Sequence, residues 1–350
     1  MKIRNKVSNR FIKIILTVLL TVLIIIPQTG CGAKGPFNKS EFCLDTSCNI
    51  TIYDEMSEDE AMAILDEAYA QIREYENTFS KTIEGSDVYK VNEAKGTKVE
   101  ISDATMDLVK IGSEMGELSD GAFDITIGAA SSLWDFKSEN PEVPKDNDIK
   151  EALKTVDYTQ LGIEGNEFWL EDEGAKLDFG GVAKGYIADR TGEFLESKGV
   201  TKAIVDLGGN IVTIGDKEEG TPWKVGIERP YSDRTEIIGA VEAVDQTVVT
   251  SGIYERQFVK DGKRYHHILD PETGYSSDSD IEAITIMAAK GNSGFCDALS
   301  TACLILGQED ALQLIKTVQN KHPEMGVKAA IINKNDEIIK TEGMEIISVE

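Results

Sequence analysis

Leu177-Asp178-Phe179-Gly180-Gly181-Val182-Ala183-Lys184-Gly185-Tyr186-Ile187-Ala188-Asp189-Arg190 is the stretch around which the chain is ordered. Lys176, Leu177 and Phe179 read as a short strand, and Gly180-Gly181 as a turn without side chains. Val182, Tyr186, Ile187, Phe194 and Leu195 follow at helical spacing, with Gly199 placed to end the helix. A strand, a bare turn and a helix start form a site for an anion, because the first helical amides point outward and carry partial positive charge. Lys184 adds a full charge. The plain alternative is a tight turn whose glycines only let the strand and helix approach.

The chain has 350 residues, 28% of them charged, and a net charge of −26. That length allows about two domains of ~150 residues or one large one. Lys2, Arg4, Lys6, Arg10 and Lys13 precede the apolar run Ile14–Ile26, too short to span a membrane and matched to a signal peptide over residues 1–30. Gln28-Thr29-Gly30-Cys31 resembles a bacterial lipoprotein cleavage box, although Gln28 stands where such boxes favour leucine. Cys31 is then the lipidated first residue, residues 31–41 a linker, and the product a membrane-tethered protein on the extracytoplasmic face. Plain secretion and an uncleaved anchor are the alternatives.

Removing the five basic residues of the leader takes the net charge from −26 to −31. So acidic a surface excludes nucleic acid as a partner. Cys43 and Cys48 are close enough to pair outside the cytoplasm, and Cys296 and Cys303 read as buried thiols. With three histidines and no paired Cys/His spacing, a zinc site is excluded.

Over residues 42–350 the pattern predicts one folded unit, and its length also accommodates a division into two subdomains. Phe42–Tyr53 alternates as a hairpin. Ser57-Glu58-Asp59-Glu60 opens an amphipathic helix. Asp103–Leu118 is a second helix, and Gly121–Gly128 reads as a turn into an extended segment. Strands follow at 201–205, 211–214, 223–227, 237–244 and 281–287, helices at 295–306 and 309–320, and a last hairpin at 327–340. Strands outnumber simple βαβ alternations, which predicts an α+β fold with large antiparallel or mixed sheets and flanking helices.

Two further windows carry chemistry. Asp297 and Thr301 stand at i,i+4 in an apolar helix, so a carboxylate and a hydroxyl share one face, which suits a hard cation such as Mg²⁺. The plain alternative is Asp297 as a cap and Thr301 bonded back to a carbonyl. His267 precedes Ile268-Leu269-Asp270-Pro271-Glu272-Thr273-Gly274, which puts an imidazole at a strand end beside a rigid turn. Alone, that is equally a surface histidine and a β-turn. Asp124 alone is a solvated turn carboxylate.

Taken in order, Gly121–Gly128, Asp178–Asp189, Asp206–Asn210, Thr250–Tyr254, His267–Gly274 and Asp297–Thr301 resemble the ApbE-type flavin transferases, the FAD:protein FMN transferases. The resemblance spans residues 42–350 and implies a T-fold-like architecture. It implies Mg²⁺-dependent transfer of FMN from FAD to a threonine or serine hydroxyl of a target flavoprotein, with release of AMP. Asp297, Thr301 and the carbonyl of Gly181 would ligate the metal. Ala122, Phe123, Asp124, Asp178, Lys184 and His267 would line the FAD site, and Asp297 and His267 are the candidate catalytic bases. Two other functions use the same residues: an FAD pyrophosphatase releasing free FMN and AMP, and a flavin-binding lipoprotein without chemistry.

Overall fold

The computed structural model describes residues 35–218, 220–232 and 236–349. The signal peptide and the lipidated Cys31 expected from the sequence lie outside the described residues. Among the described residues no helix is long and apolar enough to cross a membrane.

The folded part begins earlier than expected. Strand β1 spans Phe37–Cys43 and pairs antiparallel with β2, Thr46–Ile52. Residues 37–41, read as linker, therefore belong to the first hairpin. Phe37 is buried at its start, and that alternation is too short to show in sequence. Cys43 and Cys48 are buried free thiols, and Cys48 Sγ donates to the Cys43 carbonyl at 3.5 Å.

Helix α1, Glu58–Phe79, starts at Ser57, whose hydroxyl accepts from the Glu60 amide. Ala61, Ile64, Leu65, Ala68 and Ile72 form its buried stripe. Helices α2, Asp87–Glu93, and α3, Asp103–Leu118, follow. The two-residue β3, Val99–Glu100, joins β4, Leu161–Glu164, and β5, Glu167–Leu170, in a small sheet. Helix α4 is Asp146–Leu153, and α5, Ala183–Ser197, follows the glycine turn.

The remaining strands are β6 Ala203–Leu207, β7 Asn210–Ile214, β8 Trp223–Glu228, β9 Ile237–Ala243, β10 Gln246–Gly252, β11 Gln257–Lys260, β12 Lys263–His266, β13 Ile281–Ala289, β14 Lys328–Asn333 and β15 Ile338–Lys340. Helices α6, Ser293–Leu306, and α7, Gln308–Lys321, lie between β13 and β14. Eight strands form one sheet in the order β1-β2-β6-β7-β10-β13-β14-β15, every neighbouring pair antiparallel. The α+β expectation holds.

Both faces of this sheet are covered, and side-chain alternation sorts the residues between them. Val249, Ile284, Ile286, Ala288, Ala329 and Ile331 join the large core beneath α1, α5 and α6. Val248, Ala283, Met287, Ala330 and Ile332 face a second core closed by the β8–β9 hairpin through Val225, Ile227, Val241 and Ala243. β13 is therefore buried along nearly its whole length.

Two local expectations are corrected. Residues 176–179 form no strand beyond a single parallel bridge between Lys176 and Ile127, and 121–128 is a run of turns ending in that bridge. The partners that straighten 176–179 are largely a side chain and isolated carbonyls, so no ladder develops.

Candidate active site

Three things hold the segment before the glycine turn. The Asp178 amide donates to the Ile125 carbonyl at 2.8 Å, and the Gly128 amide to the Lys176 carbonyl at 2.9 Å. Asn92 plays the part of a neighbouring strand: its Oδ1 accepts from the Leu177 amide at 2.6 Å and its Nδ2 donates to the Leu177 carbonyl at 3.1 Å.

Asp178 then shapes the turn. Its Oδ1 accepts from the Gly180 amide at 2.8 Å. Its Oδ2 accepts from Lys81 Nζ at 2.7 Å and Ser131 Oγ at 2.5 Å. Burial pushes its pKa up, but the Lys81 charge and these donors outweigh that and hold it below the usual carboxylate value. Lys81 and Ser131 are site residues that the sequence did not reveal. They lie 97 and 47 positions from Asp178, and only folding joins them.

Gly180 and Gly181 are not in the left-handed region. What demands glycine is close approach. A Cβ on Gly181 would stand 3.0 Å from Phe123 Cε2 and 3.1 Å from Thr301 Oγ1. The turn, Phe123 and Thr301 thus meet at one point, although they come from three distant stretches.

Asp297 is buried in α6, with 1% of its side chain exposed. Helix α5 has no side-chain cap of its own. Asp297 supplies one: its Oδ2 accepts from the Gly185 amide at 3.1 Å, and Lys184 Nζ stands 3.4 and 3.5 Å from its two oxygens. These last contacts are long for a charge-assisted bond, which favours about 2.7–2.9 Å. The anion at this helix start is therefore the protein's own carboxylate. The Val182 and Ala183 amides are also taken, by the Phe179 carbonyl, and the Gly180 amide by Asp178. The expected cradle of helix amides for a phosphate is largely filled from within. Lys184 stands beside this helix start with its side chain 26% exposed.

Asp297 is an interior residue of α6 and caps the neighbouring α5 rather than its own helix, and no hydrogen bond among the described residues ties the Thr301 hydroxyl back to a carbonyl. Thr301 Oγ1 approaches the Gly181 turn, and Asp297 stands one helical turn before Thr301 on α6, so a carboxylate, a hydroxyl and the Gly181 backbone offer hard oxygen donors from neighbouring positions. Among the described residues there is no cluster of three His, Cys, Asp or Glu side chains fit for a metal. One carboxylate with neutral oxygens fits Mg²⁺, which retains waters and takes substrate phosphates as further ligands.

Asp124 turns away from this point. Its Oδ1 accepts from the Thr126 amide and hydroxyl, each at 2.7 Å, and its Oδ2 from the Tyr158 amide at 2.9 Å. Burial raises its pKa despite these bonds. Its carboxylate is buried rather than solvated. It holds the loop that presents Phe123. Ala122 stays half-buried at the start of that loop, its amide on the Ser119 carbonyl at 3.2 Å.

His267 is half-buried, with its amide on the Arg256 carbonyl at 3.1 Å and its Nδ1 buried without a partner. Burial, then the charges of Arg256 and Lys184, push its pKa down to about 3, so the ring is neutral. The following turn is fixed by the Gly274 amide on the Asp270 carbonyl at 2.7 Å and by Trp134 Nε1 on the Gly274 carbonyl at 2.9 Å. A hydroxyl track also emerges that sequence did not show: Ser251 and Ser300 meet at 2.7 Å, and Ser300 Oγ donates to the Asp297 carbonyl at 2.8 Å.

The chain is 31% identical to an FAD:protein FMN transferase of Treponema pallidum over 314 residues, covering 84% of this chain and 86% of that one. It is 32% identical to a Klebsiella pneumoniae protein of the same name over 286 residues, 81% of this chain and 85% of the other. The crystal structure of the ApbE protein of Thermotoga maritima superposes with a TM-score of 0.78 at 33% identity, covering 88% of this chain and 97% of that one. The apo flavinyl transferase ApbE of Pseudomonas stutzeri gives 0.73 at 28% identity, with 88% and 95% covered. A model of the ApbE family matches residues 44–325, and with it the chain belongs to the ApbE family.

Proposed function

We propose that this protein is an FAD:protein FMN transferase that moves FMN from FAD to a threonine or serine hydroxyl of a target flavoprotein and releases AMP. The observation that carries the reading is the close approach of Thr301 to the Gly181 turn, with Asp297 one helical turn away on the same helix and in contact with Lys184. The names of the relatives support the substrate and the reaction class.

The target hydroxyl attacks the FMN phosphorus, the bridging P–O bond breaks, and AMP leaves with the bond electrons. Such transfers depend mainly on positioning and on neutralising the phosphates. Asp297, Thr301 and the Gly181 carbonyl would hold Mg²⁺, which supplies charge neutralisation at the pyrophosphate. Lys184 is placed to add a second positive charge, since its contact with Asp297 is loose. Phe123 and Gly181 set the wall against which the ligand lies.

Of the two candidate bases, His267 suits the proton of the target hydroxyl better. Asp297 is engaged by Gly185 and Lys184, whereas His267 is neutral with Nδ1 unpaired. An anionic ligand near Arg256 and Lys184 offsets the charges that depress the ring, and so raises its basicity. Cys31 would anchor the protein by lipid to the extracytoplasmic face of the membrane, where Cys31→Ala should release it. If that variant stays tethered and is processed normally, the anchor reading is wrong.

The test incubates the chain with FAD, Mg²⁺ and an extracytoplasmic flavoprotein as acceptor, and follows AMP and protein-bound flavin fluorescence. Transfer labels the acceptor. AMP with FMN left free in solution indicates the pyrophosphatase. Flavin binding without AMP indicates a carrier.

A further inference from the structure

Helices α5 and α6 cap one another. Neither has a side-chain cap of its own. Asp297 of α6 accepts from the Gly185 amide at the start of α5, at 3.1 Å. Asp189 of α5 accepts from the Gly294 amide at the start of α6, also at 3.1 Å. The helices touch where both present glycine. A Cβ on Gly185 would lie 2.2 Å from the Ser293 carbonyl oxygen, and one on Gly294 would lie 3.2 Å from the Tyr186 backbone. The exchange is buried, Asp189 being 5% exposed and Asp297 1%.

We propose that Asp189 is a positioning residue for the metal centre. It fixes the first turn of α6 against α5, and Asp297 stands only three residues beyond Gly294 on that helix. Removing the Asp189 carboxyl leaves the buried Gly294 amide without its acceptor and frees the crossing to shift. Asp297 then loses its register with Gly185, and Thr301 its register with Gly181. This rests on the reading of Asp297 and Thr301 as metal ligands. The carboxyl reaches no ligand itself, so its effect is on where the ligands stand. Its Oδ1 has no partner and lies buried, as does Ser293 Oγ. An asparagine retains an acceptor for the Gly294 amide and brings a donor to a region that contains the Ser293 hydroxyl.

The test uses the full chain purified in detergent, with Mn²⁺ alone as the probe, titrated calorimetrically, and melting temperature measured beside it. Loss of a direct outer partner of a metal ligand typically weakens metal binding about 10–100-fold, and Asp189, which acts through the helix start rather than on a ligand, belongs at the low end of that range. Asp189→Ala should therefore bind Mn²⁺ about 10-fold more weakly, with Asp189→Asn recovering most of the affinity. Ser57→Ala removes the cap of α1 far from the site. It should lower the melting temperature and leave Mn²⁺ affinity alone, which separates positioning from general loosening. A folded Asp189→Ala that binds Mn²⁺ as the parent does overturns the proposal, as does equal weakening in Ser57→Ala. A parent chain that binds no Mn²⁺ overturns the metal-centre reading and this proposal together.

Discussion

Replacing Gly181 by alanine adds one carbon at the point where three parts of the site meet. That carbon would stand 3.0 Å from Phe123 Cε2, 3.1 Å from Thr301 Oγ1 and 3.3 Å from Thr301 Cγ2. Each distance is shorter than a comfortable carbon contact of about 3.5–4.0 Å, so the ring and the threonine must each move by a few tenths of an ångström. The backbone at Gly181 is not left-handed, so no conformational penalty is added. Overpacking of this kind costs about 1–3 kcal/mol, hence a melting temperature lower by about 2–8 °C. The effect on chemistry should be larger in proportion. A misplacement of about 1 Å costs roughly 100-fold in rate, so a smaller shift of Thr301 should cost about 10-fold in Gly181→Ala, and the bulkier Gly181→Val about 100-fold. Gly180→Ala is the control, since its Cβ meets only Asp178 Oδ1, at 3.0 Å. AMP release measures the chemistry, flavin fluorescence the binding and thermal melting the fold. If Gly181→Val cleaves FAD at the parent rate, the turn serves packing alone.

Asp297→Asn should abolish most Mg²⁺-dependent AMP release while largely preserving the fold, and an unchanged metal response would exclude Asp297 as a ligand. Asp297→Ala is a poorer probe, because it also orphans the Gly185 amide, at about 1–3 kcal/mol. Lys81→Met should leave the half-buried Asp178 carboxylate without its cation, so stability should fall by about 1–3 kcal/mol and AMP release with it; a melting curve matching the parent's would show that Lys81 is dispensable. His266 is pushed by burial to about 4 and His267 to about 3, whereas unfolded histidine titrates near ~6.5. Stability present above pH ~6.5 should therefore be lost as pH falls from about 6.5 through about 4. Burial raises Asp189 to about 7, so its contribution runs the opposite way across that window. The decline should be steeper in Asp189→Asn, and equal slopes in melting experiments would contradict the assignment.

Much of the framework was legible because it is local. Ser57 capping α1 and the boundaries of α3 follow from spacing within one turn or one helix. The Asp297–Thr301 pair was visible for the same reason, since i,i+4 fixes a common face. The rest depends on distant partners. The partners of Asp178, Lys81 and Ser131, and those that bury Asp124, Thr126 and Tyr158, are brought to them by folding. The helix start after Gly181 has the properties of an anion site, and the anion is Asp297, 112 residues away from Gly185. No pattern in sequence announces which carboxylate fills such a position. Segment 176–179 was read as a strand because it is extended, but its lateral partner is mainly the side chain of Asn92.

The account rests most directly on where the phosphorus of FAD goes. The measurement is the intact mass of an acceptor flavoprotein after incubation with this chain and FAD, with and without Mg²⁺, alongside the AMP released. The expected result is an acceptor heavier by one FMN less water on a threonine or serine, one AMP for each FMN attached, and neither product when Mg²⁺ is chelated or Asp297 is asparagine. An unmodified acceptor with FMN free in solution, or labelling indifferent to both Mg²⁺ and Asp297, would contradict it.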